Sequence, residues 1–136
     1  MSLVCLEASD DGNKSNKKLS YSGANNSLYI LRKGELIELP ADKIPIGIYL
    51  GMDKPFSNKE IILERGDTVY MFSDGYADQF GGEKGKKFTK KRFKDTLISL
   101  QNTPMNQQKN ILDFTMNEWL TEQQPIDDIL VIGIRI

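Results

Sequence analysis

The chain has 136 residues with 18 basic and 19 acidic side chains and a net charge of −1. One domain is therefore expected, without the broad field that would favour nucleic acid or an anionic membrane. Hydrophobic residues make up 39% and charged residues 27%, the balance of a globular chain, and no apolar run approaches the roughly 18 residues a spanning helix needs. Met1-Ser2-Leu3 lacks the basic and apolar regions of a secretory signal, and Met1-Ser2 reads as a possible expression scar. Histidine is absent and Cys5 is the one cysteine. A Ser-His-Asp triad, His-ligated or all-thiolate zinc and an internal disulfide are thus excluded, and the lone thiol fits a reducing compartment. Any metal would have to be held by carboxylates and carbonyls, which suit magnesium or manganese.

In chain order, Leu3 to Ala8 reads as a strand and Asp10 to Asn16 as a solvated turn. That turn lacks the ligand order of a calcium loop. Lys18 to Ser22 and Ser27 to Lys33 read as strands, and Gly34 turns the second into Glu35 to Leu39 as a hairpin. Pro40 to Lys59, with Pro45, Gly47, Gly51 and Pro55, is irregular. Glu60 to Leu63 and Thr68 to Phe72 form a further expected strand pair, joined by a tight turn at 64–67. Phe93, Leu97 and Leu100 predict a helix over Lys90 to Gln101. Thr103-Pro104 offers an N-cap and first-turn proline for a helix to Leu120. In it Met105, Met116 and Trp119 are assigned to the core. Asp128 to Ile136 is a final strand, apolar on both faces and so expected to be central; Ile132→Asp should then destabilise strongly and Lys91→Asp little. The class is α+β in a single domain over 1–136.

Two acidic sites stand at strand ends, where a rigid scaffold can fix a carboxylate. Asp74 follows Val69-Tyr70-Met71-Phe72 and precedes Gly75, which allows a sharp turn and close approach to an ion. Asp127-Asp128 precedes the last strand. An oxygen-only divalent site needs two or more carboxylates, and these converge if the two strands are neighbours. Asp-Gly and Asp-Asp are also common turn chemistry, so on spacing alone both readings stand.

Ser-Asp-Gly-Tyr-Ala-Asp at 73–78 and Asp-Asp-Ile-Leu-Val-Ile at 127–132 resemble the closing motifs of metal-dependent, type 2C-like serine/threonine phosphatases, in their bacterial SpoIIE-like branch. Intermediate landmarks follow in order. Leu19 to Asn26 resembles the strand ending in that branch's Ala-Gly-His-Pro-Pro element, with asparagines substituted. Pro45-Ile46-Gly47-Ile48 resembles its Pro-Leu-Gly turn, Arg65-Gly66-Asp67-Thr68 its Gly-Asp before the metal strand, and 78–88 a variant with a basic loop. The resemblance spans Leu3 to Ile136.

What the resemblance implies is an α/β/β/α sandwich of two antiparallel sheets with flanking helices. Asp74 and Asp127 would be ligands of one manganese or magnesium ion, with Gly75 and Asp128 supporting the loop. In such enzymes two metals activate a water that attacks phosphoserine or phosphothreonine. The implied setting is cytoplasmic, as the C-terminal output domain of a larger sensor or signalling protein. The implied substrate is a phosphorylated partner such as an anti-sigma-antagonist-type regulator, without nucleic-acid or membrane contact. The other metal aspartate of this family lies in an Asp-Gly-x-Gly segment, and residues 1–136 contain none. The chain therefore reads as an inactive C-terminal portion lacking the N-terminal strands and first metal motif, with unpaired edges open to self-association.

Lys84 to Lys94 holds seven basic residues. Lys86 and Lys87 are candidates for phosphate or partner contacts, against a solvated loop and helix face. The competing readings are a catalytically silent SpoIIE-like domain, or another β-rich interaction module in signal transduction whose acidic motifs are turns.

Overall fold

The computed structural model describes residues 2–8, 17–47, 55–121 and 123–136. The turn expected over 10–16 and the residues Ile48 and Gly51 lie outside the described residues. Strands β1 (Ser2–Ala8), β2 (Lys17–Gly23) and β5 (Lys59–Leu63) form one antiparallel sheet in the order β1-β2-β5. Strands β3 (Leu28–Arg32), β4 (Glu35–Leu39), β6 (Thr68–Phe72) and β9 (Val131–Arg135) form a second, in the order β4-β3-β6-β9. A one-turn helix α1 (Gly75–Asp78), a two-residue ribbon β7 (Phe80–Gly81) with β8 (Lys86–Lys87), and helices α2 (Lys90–Ser99) and α3 (Met105–Leu120) complete the order.

Strand β3 shows why the layers form. It is buried on both faces, so its alternation sorts side chains between two cores. Leu28 and Ile30 join Leu19, Tyr21, Leu63 and Val69 between the sheets. Tyr29 and Leu31 join Tyr70, Phe72, Phe93, Leu97 and Met116 beneath the helices. Fully burying one such side chain contributes about 1.5–3 kcal/mol. The helical spacing of Phe93, Leu97 and Leu100 is realised, with all three buried. Met116 is buried and Trp119 is partly buried against the same core.

Three expectations need correction. Strands β5 and β6 do not pair with each other: the turn at 64–67 carries the chain from the first sheet to the second. Leu63 and Val69 thereby meet across the inter-sheet core. The buried Asp67 carboxylate anchors this corner, accepting from Arg32 Nη2 at 2.6 Å and from the Glu64 amide at 2.8 Å. Helix α3 begins at Met105, one residue late, because Pro104 is extended (ψ 143°) and no side chain caps the helix. Strand β9 has the expected faces, with Val131 and Ile129 on the helical core and Ile136 on the inter-sheet core. It is nevertheless an edge strand among the described residues. Ile132 is 41% exposed and Ile134 37%, so Ile132→Asp removes no fully buried side chain. Alternation reports which way a side chain faces, not how many strands lie beyond it.

Candidate functional site

Strand β6 and the segment leading into β9 run side by side past the end of the second sheet. Beyond the last paired residues, Phe72 and Val131, the contact is continued by hydrogen bonds. The Ser73 amide donates to Leu130 O at 3.0 Å. The Ser73 hydroxyl donates to Asp128 O at 2.7 Å and accepts from the Leu130 amide at 3.0 Å. Gly75 then packs so tightly that a Cβ there would lie 2.2 Å from Asp128 O. Only glycine tolerates that approach. The residues on either side of Asp74 therefore both touch Asp128.

Asp74 occupies the N-cap position of α1 without a side-chain cap bond. Its carbonyl accepts from the Asp78 amide at 3.0 Å, while its side chain faces solvent. Asp127 and Asp128 are also exposed. Asp127 Oδ1 accepts from the Asp128 amide at 2.8 Å, which fixes the start of the loop. Among the described residues, no hydrogen bond or ion pair engages the Asp74 carboxylate.

Lys86 and Lys87 lie on β8, one strand of the ribbon that follows α1. Lys87 is held there, its Nζ 3.3 Å from Asp78 Oδ1 and 5.7 Å from the centre of the Phe80 ring. Lys86 is exposed. Trp119 secures the ribbon. Its carbonyl accepts from the Gly82 amide at 2.7 Å and its indole N–H donates to Gln79 O at 3.3 Å. A Cβ at Gly81 would lie 2.0 Å from Trp119 O. Tyr76, within α1, donates from its hydroxyl to Leu112 O at 2.9 Å, and burial pushes its phenol well above the usual range. That hydroxyl is a fixed structural donor.

Sequence reading assigned no role to Ser73 or Gln79, yet both side chains bond the 126–130 backbone. The signal for Ser73 was its place beside Asp74. For Gln79 there was none, since periodicity gives no reason to bury a glutamine. Asp74 and Asp127 are oxygen donors of the kind a hard divalent ion takes, but such an ion takes six or more. Among the described residues, no three Asp, Glu or Cys side chains gather closely enough to hold a metal. Two carboxylates would supply only part of such a shell.

The sequence profile of stage II sporulation protein E (SpoIIE) matches residues 3–136. The chain belongs to the SpoIIE family. Solved structures agree on the fold. The SiaA-PP2C domain of Pseudomonas aeruginosa is 34% identical with a TM-score of 0.79, over 88% of this chain and 46% of that one. The phosphatase domain of SpoIIE from Bacillus subtilis is 17% identical with a TM-score of 0.67, over 100% and 57%. A manganese-presoaked crystal of the same domain gives 18% and 0.63, over 99% and 56%. No curated protein matches the chain. The SpoIIE-like chain thus spans about half the length of the solved phosphatase domains it resembles, and it has their type 2C-like α+β fold. No described helix is long and apolar enough to cross a membrane.

Proposed function

We propose that this chain is part of a metal-dependent phosphatase domain that hydrolyses phosphoserine or phosphothreonine on a signalling partner. The observation that supports the reading is the interlock of 73–75 with 128–130, in which both neighbours of Asp74 touch Asp128, the residue after Asp127. Asp74 and Asp127 would hold one manganese or magnesium ion, with Gly75 and Asp128 shaping the loop between them. When bound, such ions lower the pKa of water and neutralise phosphoryl charge. The chain's own residues orient: Ser73 and Gly75 set the spacing of the two carboxylates, and Lys86 offers a cation to a phosphate or an acidic partner surface.

A second ion's aspartate has no counterpart in residues 1–136, so these residues alone should turn over little substrate. In this reading the domain works in the cytoplasm as the output of a larger signalling protein. Its substrate is a phosphorylated regulator of anti-sigma-antagonist type, and the edge that β9 presents among the described residues promotes self-association. Hydrolysis of an aryl phosphate or a phosphoserine peptide with excess manganese tests this. Residues 1–136 should be nearly silent, while a longer polypeptide with an upstream Asp-Gly-x-Gly segment should turn over and lose activity on Asp74→Ala. Full manganese-dependent turnover by residues 1–136, or an Asp74→Ala variant as active as its parent, would overturn it.

A further inference from the structure

We infer that Gln79 is a positioning residue for Asp127, acting through a two-ended amide clamp on the backbone of the candidate metal loop. The inference rests on the phosphatase reading above and extends it to a residue that touches neither ion nor substrate. Gln79 is fully buried, at 0% exposure, although burying an amide costs free energy unless both ends are bonded. Here both ends are. Its Oε1 accepts from the Ile126 amide at 3.1 Å, and its Nε2 donates to Asp127 O at 3.3 Å. The assignment of oxygen and nitrogen is forced, because an N–H faces one end and a carbonyl the other. The two bonds hold two peptide units, 125–126 and 127–128, and so bracket the Asp127 backbone from which its side chain departs.

The clamp is itself anchored. The Gln79 carbonyl accepts from the Phe88 amide at 2.8 Å and from the Trp119 indole at 3.3 Å. Trp119 is stacked edge-on by Phe88, at 5.5 Å between centroids, and covered by Arg92 at 4.4 Å. A path of packed groups therefore runs from the C-terminal end of α3 through Gln79 to Asp127. On the far side of Asp127, Ser73 makes the matching two-ended contact with Asp128 O and the Leu130 amide. Asp127 is held between two clamps, both from the stretch that carries Asp74. The bare segment 123–128 has no helix or strand of its own. Without Gln79 it would keep the Gln123 amide bond to Leu120 O at one end and the Ser73 contacts at the other, and between them the Asp127 carboxylate would sample a wider range of positions. Partners that orient metal ligands typically change affinity about 10–100-fold when removed.

The test uses Gln79→Met, which keeps side-chain length and most of the volume but makes neither bond. Gln79→Glu, which keeps an acceptor for the Ile126 amide and loses the donor, serves as the partial variant. Two readouts are taken on the folded chain, with far-UV circular dichroism as the control for folding. In metal-free protein, hydrogen exchange at the Ile126 amide should speed up at least about tenfold in Gln79→Met and less in Gln79→Glu, with the core amides of β3 and β6 unchanged. Manganese affinity, measured by the electron spin resonance of free ion, should fall about tenfold in Gln79→Met. Unchanged exchange at Ile126, or wild-type manganese affinity in Gln79→Met while Asp74→Ala loses it, would overturn the clamp. If Asp74→Ala binds manganese as the parent does, the phosphatase reading fails instead. The metal-free exchange result then still decides whether Gln79 holds the loop.

Discussion

Asp67 enters β6 and Asp74 leaves it, seven positions along, each beside a glycine and next to a hydroxyl residue. Asp67 is 2% exposed. It takes three hydrogen bonds from Arg32, at 2.6–3.1 Å, and one from the Glu64 amide. That guanidinium is driven above its ordinary value, first by the hydrogen bond to Asp67, against the opposing effect of burial. Asp74 is exposed and, among the described residues, unengaged by any side chain. A buried carboxylate paired with a guanidinium and a backbone amide holds a corner together and is shut off from solvent ions. One left open at a strand end keeps its lone pairs for solvent or, in the proposed reading, for an ion. The difference lies in partners brought from other elements.

The sharpest way to break this contrast is to remove a partner from one aspartate and the carboxylate from the other. Arg32→Ala leaves Asp67 buried and unpaired, and should cost about 3–5 kcal/mol of unfolding free energy. Asp74→Ala should stay within about 0.5 kcal/mol of the parent. Urea denaturation checks both; equal losses would erase the distinction. Gly75→Ala comes next. Its Cβ meets Asp128 O, so the two strand ends must separate, at about 1–3 kcal/mol and with loss of manganese binding in the same preparation.

Smaller effects sharpen the account at the sheet edge and the helix. Because Ile132 is 41% exposed, Ile132→Asp should cost about 1 kcal/mol. Lys91 stands in the first turn of α2, which contains no acidic residue. Lys91→Asp should therefore stabilise by about 0.3–1 kcal/mol through the helix dipole. The smallest effect expected is electrostatic. Burial would raise the Glu38 carboxyl, but hydrogen bonds from Lys94 and Ser27 outweigh it and hold the group below its ordinary 4.5. Lys94 lies 2.7 Å away. A carboxyl lowered in the folded state stabilises above its unfolded pKa and loses that contribution as pH falls through its folded value. Melting temperatures between pH 3 and 7 should thus show a shallower acid limb in Lys94→Met. The pair is partly exposed, so the change should be small.

The β3–β4 hairpin could be read from sequence because Lys33-Gly34 supplies the positive φ angles, 47° and 89°, that its turn adopts. The faces of β9 and of α2 followed from periodicity for the same reason: spacing is a local property. The pairing of β5 with β2 was not legible, since 64–67 has the chemistry of a hairpin turn and only the reach of Arg32 to Asp67, 35 residues away, marks it as a corner. Asp74 and Asp127 were singled out by type and position. Nothing local announced that Gln79 would be buried against the Asp127 backbone, because its partners at 126 and 127 lie more than 45 residues on.

The central claim is that Asp74 and Asp127 form the ion-binding side of this chain while Asp67 does not. A titration with paramagnetic manganese, followed by backbone amide resonances, tests it most directly. The account predicts selective broadening at 74–75 and 127–128, sparing 64–68, and abolished by Asp74→Ala with Asp127→Ala. Broadening spread evenly over acidic surface residues, or surviving both substitutions, would contradict it.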